Sequence, residues 1–341
     1  MPEDGDDPGG ALLQLVNGYQ ITQAIHVAVM LGLADYVTSE PRPLEDVADE
    51  VGVDRSALYR LVRALSTVGV FEEREPGHFC ATPMSELLRR DHPRSVAGWP
   101  AFVGRPYHWA TWGDLLATVT TGENAMVRRY GKDVWQYRAT RPEETEIFNA
   151  AMSALSRRVA SAIAAAYDFS QFSMIADIGG ADGSLLAGIL GVHPRPRGIV
   201  FDLPHVVAGA RAVLQAAGLQ DRCTTAAGSY LDAVLSDADA YIVKSVLMDH
   251  SGDECRHILQ NIRRAMHPSS RLLVIEQVVG RGTDTRGPAF SDLNMLVTTG
   301  GRLRLWEEWA TLITSAGLTV GEVIATVSPF SIIEASIAAQ G

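Results

Sequence analysis

A glycine-rich turn is the first place in this sequence where residue types and spacing could do chemistry. The stretch Ile175–Ser184 passes from an apolar segment through Gly179 and Gly180 into a helical pattern. Such a turn lets backbone approach a ligand closely and directs helix N–H groups at it. Asp202 ends the next apolar segment, about 20 residues on, where a carboxylate could accept both ribose hydroxyls. The pair predicts a nucleoside-bearing cofactor; the alternative is a tight turn followed by a helix cap.

The elements that must position this turn alternate regularly after residue 167. Short β-branched runs are followed by helical stretches, which predicts an α/β fold with a doubly wound, mainly parallel, Rossmann-like sheet. The predicted strands are Met174–Asp177, Gly198–Phe201, Tyr241–Val243 and Leu272–Ile275, and the predicted helices are Gly183–Leu190, Val206–Ala217 and Glu254–Met266.

The first hundred residues predict a helical domain that contains a winged helix. Apolar residues at three- and four-residue spacing indicate two helices over Leu12–Val37, whose apolar faces need a partner surface. A helix, a glycine turn and a second helix capped by Asp54 indicate a helix-turn-helix over residues 43–68. The segment Val70–Thr82 then alternates on both sides of a Pro-Gly turn, as a β-wing does.

The charge of this winged helix argues against DNA binding. Ten acidic and seven basic side chains lie between Arg42 and Asp91, and Glu72, Glu73 and Glu75 lie where phosphate would pass. The whole chain carries a formal net charge of −11. We therefore expect a dimerisation and lid module with no nucleic acid partner, and we keep a metabolite-responsive DNA-binding regulator as a less favoured alternative.

Between these two regions, residues from about 98 to 166 follow a helical pattern that carries aromatic side chains and methionines. Trp109, Phe148 and Met152 are substrate-pocket residues if they face the cofactor site, and plain core otherwise. The sequence accordingly predicts a helical, winged-helix dimerisation domain over 1–100, a helical linker with pocket helices over 101–166, and a cofactor-binding domain over 167–341.

Composition is that of an ordinary folded protein. Hydrophobic residues make up 47% and charged residues 20% of the 341 residues, close to globular averages. The first residues are acidic where a secretory signal needs basic ones, and no stretch reaches 18 uninterrupted apolar residues. The three cysteines have no metal-ligand spacing. We expect a cytoplasmic protein with no membrane segment and no metal.

Five motifs together resemble the S-adenosylmethionine-dependent small-molecule O-methyltransferases of the caffeate and hydroxyneurosporene type. They are Asp177–Gly180, Phe201–Val206, Asp239–Leu247, Asp292–Leu296 and Ser328–Glu334. The resemblance covers nearly the whole chain, because that family also has a winged-helix dimerisation domain, and it implies a homodimer. It also implies S-adenosylmethionine or S-adenosylhomocysteine as the cofactor.

The resemblance implies which residues contact the cofactor and the substrate. The methionine part of the cofactor would lie at the glycine turn, its ribose on Asp202, and Lys244 near the adenosyl pocket. Two positions depart from the family pattern, since Ser229 replaces an acid that reads adenine and Ala181 replaces the third glycine. The expected cofactor contacts are Asp177, Gly179, Gly180, Asp202, Leu203, Ser229, Tyr230 and Lys244, and the expected substrate contacts are Trp109, Phe148, Met152, Met248, Asn294 and Met295.

The catalytic positions depart further from that family. Its signature runs Lys, two or three residues, Leu, His, Asp, Trp, and its histidine removes the acceptor proton. The segment Lys244–His250 aligns without a gap and places Met248 at the histidine position. Leu303 stands where one glutamate supports that histidine, while a second supporting glutamate matches Glu276. The usual general base is therefore missing.

Methyl transfer can survive this loss, because a general base typically contributes about 10²–10⁴ in rate. Either the acceptor ionises by itself, or Asp249, His250 or Glu276 supplies the base. We therefore expect a homodimeric methyltransferase that acts on a small aromatic or polyketide-like specialised metabolite, with oxygen as the favoured acceptor atom. The alternative is an enzyme of the same fold that binds the cofactor without methyl transfer and promotes a cyclisation, elimination or hydroxylation.

Overall fold

The computed structural model describes residues 7–280 and 286–337, and the chain divides into two compact units. The first unit holds the chain up to Trp109 together with Glu146–Ala154. The second unit holds Ala110–Thr145 and the chain from Leu155 onwards.

Capping side chains determine where helices of the first unit begin. Asp7 Oδ1 accepts a hydrogen bond from the Gly10 N–H at 2.9 Å, and Asp54 Oδ1 accepts one from the Ala57 N–H at 2.8 Å. Such acceptors satisfy N–H groups that have no partner within the first helical turn. The helices are α1 (Pro8–Val16), α2 (Gly18–Met30), α3 (Leu33–Tyr36), α4 (Leu44–Val51), α5 (Arg55–Ser66), α6 (Pro83–Glu86) and α7 (Gly98–Val103).

A helix-turn-helix and a β-wing form part of this unit, as predicted. Helices α4 and α5 are joined by a turn in which Gly52 has a φ of +75°, a conformation that glycine adopts without steric cost. Strands β2 (Phe71–Glu75) and β3 (His78–Ala81) pair antiparallel, and β3 also pairs with β1 (Arg42–Pro43). The segment predicted as two helices over residues 12–37 instead contains parts of three, because Gly32 separates α3 from α2.

The helical pattern predicted from about residue 98 to 166 is confirmed. The side chains of Asn124 and Asp133 accept backbone hydrogen bonds in the first turns of two of its helices. Within the described ranges, no helix is both long and apolar enough to cross a bilayer. The helices after α7 are α8 (Pro106–Gly113), α9 (Leu115–Thr121), α10 (Ala125–Tyr130), α11 (Val134–Ala139) and α12 (Pro142–Ala166).

A seven-stranded sheet forms the centre of the second unit. Its strands are β4 (Met174–Ile178), β5 (Arg197–Asp202), β6 (Cys223–Ala227), β7 (Ala240–Lys244), β8 (Arg271–Glu276), β11 (Leu318–Ala325) and β12 (Ser331–Ile337). Their order across the sheet is β11-β12-β8-β7-β4-β5-β6. Strands β4 to β8 pair in parallel, whereas β12 pairs antiparallel with both β8 and β11. A separate parallel pair joins β9 (Val278–Val279) to β10 (Arg304–Leu305).

Both faces of this sheet are buried. Successive side chains of a strand point to opposite faces, and Ile175 belongs to one buried apolar cluster whereas Ala176 and Ile178 belong to another. Tyr241 and Ile242 divide between the clusters in the same way. The flanking helices are α13 (Ser184–Val192), α14 (Pro204–Val207), α15 (Ala210–Ala216), α16 (Gly252–Ala265), α17 (Arg286–Thr298) and α18 (Trp306–Ser315), with short 3₁₀ turns at Phe169–Gln171 and Leu247–Asp249.

The parallel order brings the carboxyl ends of the strands that carry the predicted site to one edge of the sheet. Ile178, Asp202, Lys244 and Glu276 are the last residues of β4, β5, β7 and β8. Open α/β sheets bind ligands at this edge. The predicted alternation is confirmed for β4, β5, β7 and β8, whereas β6 and the antiparallel β11–β12 hairpin were not among the predicted elements. The single helix predicted over Val206–Ala217 is divided into α14 and α15.

Candidate functional site

The glycine turn after β4 is held by backbone hydrogen bonds to the neighbouring strand. The N–H groups of Gly179 and Gly180 both donate to the Phe201 carbonyl oxygen, at 2.8 and 3.3 Å. Gly179 has a φ of +72°, and a Cβ added there would lie 2.6 Å from Val246 Cγ2. Only glycine fits this position without displacement of Val246. Ala181 also has a positive φ, of +51°, which is uncommon for a residue with a side chain.

Asp202 connects the glycine turn to the end of β5. Its Oδ2 accepts a hydrogen bond from the Ala181 N–H at 2.9 Å, and its Oδ1 accepts one from the Leu203 N–H at 2.7 Å. Each carboxylate oxygen can accept more than one hydrogen bond, so both can still accept hydroxyl protons from a ligand. Leu203 is 41% exposed and therefore offers an apolar surface beside this carboxylate.

Two buried polar residues, Asp177 and Ser184, flank the glycine turn, and the half-buried Lys244 ends the neighbouring strand β7. Burial raises the pKa of Asp177 to about 7, with the nearby Lys244 ammonium acting in the opposite direction. Asp177 Oδ2 and the Ser184 hydroxyl are buried without a hydrogen-bond partner. The Lys244 ammonium lies 3.4 Å from the hydroxyls of both Ser156 and Ser245. Unsatisfied buried polar atoms are rare in folded proteins, and the two here lie next to the turn that a ligand would contact.

Tyr230 and His250 form a polar pair at the same edge of the sheet. The Tyr230 hydroxyl lies 3.1 Å from His250 Nε2, and His250 Nδ1 lies 3.8 Å from a carboxylate oxygen of Glu254. Burial is the main cause that lowers the pKa of His250. Ser229 precedes Tyr230, and its hydroxyl accepts a hydrogen bond from the Leu231 N–H at 3.2 Å. Both ring nitrogens of His250 therefore face groups of this unit.

Met248 and Asp249 lie in the 3₁₀ turn that follows β7. Both residues keep part of their surface exposed, and the carboxyl end of Asp249 lies in a buried setting. Burial raises the pKa of Asp249 to about 7, while the Arg138 guanidinium and the Thr299 hydroxyl act to lower it. The Arg302 N–H donates to the Met248 carbonyl oxygen at 2.8 Å, which fixes the backbone of this turn. Asp249 thus has a buried carboxyl that ionises near neutral pH, in a residue that keeps part of its surface exposed.

Glu276 lies behind this turn and is fully buried. Its pKa is raised to about 8, chiefly by burial and also by the Asp249 carboxyl, while the Lys244 ammonium acts to lower it. Neither of its carboxyl oxygens has a hydrogen-bond partner of good geometry. Leu303, which the sequence resemblance aligns with the family's other glutamate, is also buried. Of the two positions that the resemblance assigns to glutamates, one therefore carries a buried carboxyl in this chain.

The predicted substrate residues fall into both units. Trp109, Phe148 and Met152 belong to the first unit, where the ring of Phe148 packs edge-on to that of Phe102 at 5.4 Å. Met248, Asn294 and Met295 belong to the second unit and are half-buried. Their roles in substrate binding stay predictions.

Sequence reasoning missed several neighbours of these residues. Arg138 and Thr299 influence the ionisation of Asp249 from α11 and from the end of α17. The Trp112 indole N–H donates to Asn294 Oδ1 at 3.0 Å, across 182 positions of sequence. Such contacts between distant segments leave no signal in local spacing. The one available signal for Trp112 is that it lies three positions after Trp109 in the same aromatic-rich segment.

Two family models match the chain. A model described as an O-methyltransferase dimerisation domain matches residues 13–91, and one described as an O-methyltransferase domain matches residues 112–319. Among curated proteins, phenazine O-methyltransferase PhzM of Lysobacter antibioticus is 39% identical over 95% of both chains. The mitomycin biosynthesis 6-O-methyltransferase of Streptomyces lavendulae is 38% identical over 90% of this chain and 88% of its own. Aclacinomycin 10-hydroxylase RdmB of Streptomyces purpurascens is 33% identical over 93% and 86% of the two chains.

Solved structures lead to the same family. The crystal structure of LaPhzM matches with a TM-score of 0.93 and 38% identity over 97% of this chain and 99% of its own. An O-methyltransferase from neocarzinostatin biosynthesis, solved with S-adenosylmethionine and 2-hydroxy-5-methyl naphthoic acid, matches with a TM-score of 0.77 and 29% identity over 93% and 96% of the two chains. This chain therefore belongs to the S-adenosylmethionine-dependent O-methyltransferase family that acts on secondary metabolites.

Proposed function

We propose that this protein transfers the methyl group of S-adenosylmethionine to a hydroxyl oxygen of a small aromatic specialised metabolite. The observation that carries the proposal is the cofactor edge of the sheet, where the glycine turn, the Asp202 carboxylate and two unsatisfied polar atoms lie together. The relatives named for phenazine and mitomycin methylation support an aromatic or polycyclic acceptor.

The residues at this edge fit the cofactor. Close backbone approach at Gly179 suits its methionine part, and Asp177 Oδ2 and the Ser184 hydroxyl are buried acceptors for an amino group. The free acceptor capacity of Asp202 suits ribose hydroxyls, and exposed Leu203 suits an apolar face of adenine. When bound, S-adenosylmethionine would supply a methyl group on a sulfonium: an oxygen nucleophile forms the new bond to the methyl carbon in line, and the sulfur leaves as the thioether of S-adenosylhomocysteine.

Asp249 is the group that we assign as the base. It must accept the proton of the acceptor hydroxyl, so it needs an accessible side chain and an ionisation near the working pH. Asp249 is half-buried and has a pKa of about 7. Glu276 is fully buried, and both nitrogens of His250 face Tyr230 and Glu254. The geometry therefore supports Asp249 over the two other candidates.

The test of this function measures the stoichiometry of the reaction. Hydroxyphenazines and hydroxynaphthoates are incubated with S-adenosylmethionine labelled in its methyl group, and S-adenosylhomocysteine and methylated product are quantified by mass spectrometry. We expect equal amounts of the two products from at least one acceptor, with the label on oxygen. Absence of label transfer to every acceptor, or turnover without S-adenosylhomocysteine, would contradict the proposal.

A second candidate function is a reaction that binds the cofactor without methyl transfer. The specific observations in its favour are the relative named as a 10-hydroxylase and the substitution of both catalytic positions by Met248 and Leu303. In such a reaction the sulfonium acts as a fixed positive charge. The stoichiometry experiment separates the two, since product would then form without consumption of S-adenosylmethionine.

The assembly that we propose is a homodimer formed through α1 and α2. Four apolar side chains of α1, Leu12, Leu13, Leu15 and Val16, are 60–63% exposed, a larger apolar surface than a monomer usually leaves in water. The dimerisation-domain match over residues 13–91 includes three of these four residues, all but Leu12. Light scattering should give twice the chain mass of 36.8 kDa.

A charged double variant tests this interface. Leu13→Glu with Val16→Glu should give monomers, whereas Leu116→Glu, at an exposed apolar position of α9, should leave the dimer intact. If light scattering gives the wild-type protein the mass of a single chain at micromolar concentration, the proposed dimer is contradicted.

A further inference from the structure

The Tyr230 hydroxyl and His250 Nε2 are hydrogen-bonded at 3.1 Å, and the imidazole tautomer decides which of them donates. The Glu254 carboxylate, 3.8 Å from Nδ1, favours the tautomer with the proton on Nδ1, in which Nε2 accepts from the Tyr230 hydroxyl. The two rings meet edge-on, with centroids 5.6 Å apart and planes at 84°. Neutral His250 therefore links the phenol to the carboxylate of Glu254.

Helix α16 supplies hydrogen bonds that hold both residues of this pair in place. Ser251 and Glu254 form a capping box at its first turn, with the Ser251 N–H donating to Glu254 Oε2 at 2.9 Å. The Asn261 side-chain amide, two turns further on, donates to the carbonyl oxygens of Tyr230 and Leu231 at 2.9 and 3.0 Å. The same helix thus holds the carboxylate that faces His250 and the backbone that carries Tyr230.

The pair lies beside the cofactor residues. A Cβ added at Gly179 would lie 3.5 Å from Tyr230 Cε1, so the phenol ring borders the glycine turn. The Gly228 N–H donates to the Asp202 carbonyl oxygen at 3.0 Å, which ties the segment before Tyr230 to the predicted ribose site. After burial, the negative charge of Asp202 is the next cause that raises the pKa of Tyr230.

We propose that Tyr230 and His250 form a hydrogen-bonded wall of the cofactor site, and that protonation of His250 weakens binding of S-adenosylmethionine more than binding of S-adenosylhomocysteine. This inference rests on the proposed function. His250 occupies the position where the family signature has tryptophan, so an ionisable ring replaces a neutral one at this wall. His250 is accordingly a cofactor-positioning residue and not the base.

The charges around His250 determine the sign of the effect. Burial lowers its pKa most, Arg304 lowers it, and Glu254 raises it. Asp249 precedes His250 in the sequence. Arg304 and the Cys255 thiol both donate hydrogen bonds to the carbonyl oxygen of His250. At neutral pH the ring is uncharged. In acid it becomes a cation, reverses its hydrogen bond with Tyr230, and repels a sulfonium, whereas S-adenosylhomocysteine carries no sulfonium charge.

Calorimetry with both cofactor forms between pH 5.5 and 8 tests the inference. We expect the affinity for S-adenosylmethionine relative to S-adenosylhomocysteine to fall about five- to tenfold on acidification. His250→Gln keeps a hydrogen-bonding side chain without an ionisable ring, so its affinity ratio should not change with pH. Tyr230→Phe should weaken both ligands at pH 8. His267→Gln, which replaces a half-buried histidine paired with Asp239 before β8, is the matched control and should behave as wild type.

The outcomes separate this inference from the function on which it rests. If the wild type binds neither ligand at pH 8, the proposed function fails and the inference fails with it. If it binds both with a ratio that does not depend on pH, or if His250→Gln keeps the wild-type dependence, only the inference is overturned. Circular dichroism of each variant at both pH values shows whether the fold is retained.

Discussion

Two turns at the same edge of the sheet differ in what holds their functional groups. In the turn after β4, the Asp202 carboxylate accepts two backbone N–H groups, and Gly179 and Gly180 donate to a strand carbonyl. Behind the turn after β7, the oxygens of Glu276 have no hydrogen-bond partner of good geometry. The cofactor side is thus defined by backbone geometry, and the acceptor side by the chemistry of a few side chains.

The acceptor side nevertheless keeps a well-defined backbone. Arg304 is buried and donates to the carbonyl oxygens of Leu247 and His250 at 3.1 and 3.4 Å. A Cβ added at Gly301 would meet the Met248 carbonyl oxygen at 1.9 Å, so only glycine fits there. The comparison teaches that the backbone of both turns is held by hydrogen bonds and close packing that do not depend on the side chains of Met248 and Asp249.

The largest expected effect is on the cofactor side. Asp202→Ala removes the proposed acceptor of ribose hydroxyls and leaves the Ala181 and Leu203 N–H groups without their partner. A hydrogen bond to a charged group contributes about 1.5–3 kcal/mol, so affinity for S-adenosylhomocysteine should fall about 10- to 150-fold by calorimetry. Asp221→Ala, at an exposed carboxylate before β6, is the control. Unchanged affinity in Asp202→Ala would remove this residue from the site.

A smaller effect is expected at Met248. A thioether is only a weak acceptor and has no proton to exchange, and Asp249 is assigned as the base. Met248→His should therefore change the single-turnover rate of methyl transfer by less than about tenfold, well below the full contribution of a general base. Met84→His, at an exposed methionine of the first unit, is the matched control. A hundredfold increase in Met248→His alone would show that no other group acts as the base.

The smallest expected effect is on stability. The pKa of Glu276 in the folded protein, about 8, lies above its ordinary value of 4.5. Above pH 4.5 the unfolded chain releases this proton while the folded protein keeps it, so its contribution to stability is lost progressively as the pH rises to about 8. Glu276→Gln does not titrate, and its Tm should exceed that of the wild type at pH 8 by about 2–4 °C, the shift for about 1 kcal/mol.

The difference in Tm between Glu276→Gln and the wild type should depend on pH. At pH 4.5 the Tm values of Glu276→Gln and the wild type should nearly coincide, and Glu322→Gln, at an exposed position of β11, should match the wild type at both pH values. A Glu276→Gln variant that is less stable than the wild type at pH 8 would show that Glu276 is ionised and paired in the fold.

Local patterns predicted much of the fold and of the cofactor side. The alternation of β4, β5, β7 and β8 with helices, and the glycine turn with Asp202, depend on residues close in sequence, so spacing reveals them, whereas β6 was not predicted. The β11–β12 hairpin escaped prediction because its strands alternate poorly: Val320 and Val323 flank a register shift against β12. The influence of Arg138 on Asp249 escaped because it joins distant segments, which only the folded chain brings together.

The central claim is that methyl transfer proceeds at this site with Asp249 as the base in the absence of a histidine at position 248. The most direct test compares kcat/KM of the wild type and Asp249→Asn across hydroxyaromatic acceptors whose hydroxyl pKa rises from about 6 to about 10. An acceptor that is already ionised needs no base, so the two enzymes should nearly match there. For the least acidic acceptors the variant should be about 10²- to 10⁴-fold slower, and the wild-type rate should rise with pH through about 7 as Asp249 loses its proton. A ratio that stays the same across the whole series would contradict the account.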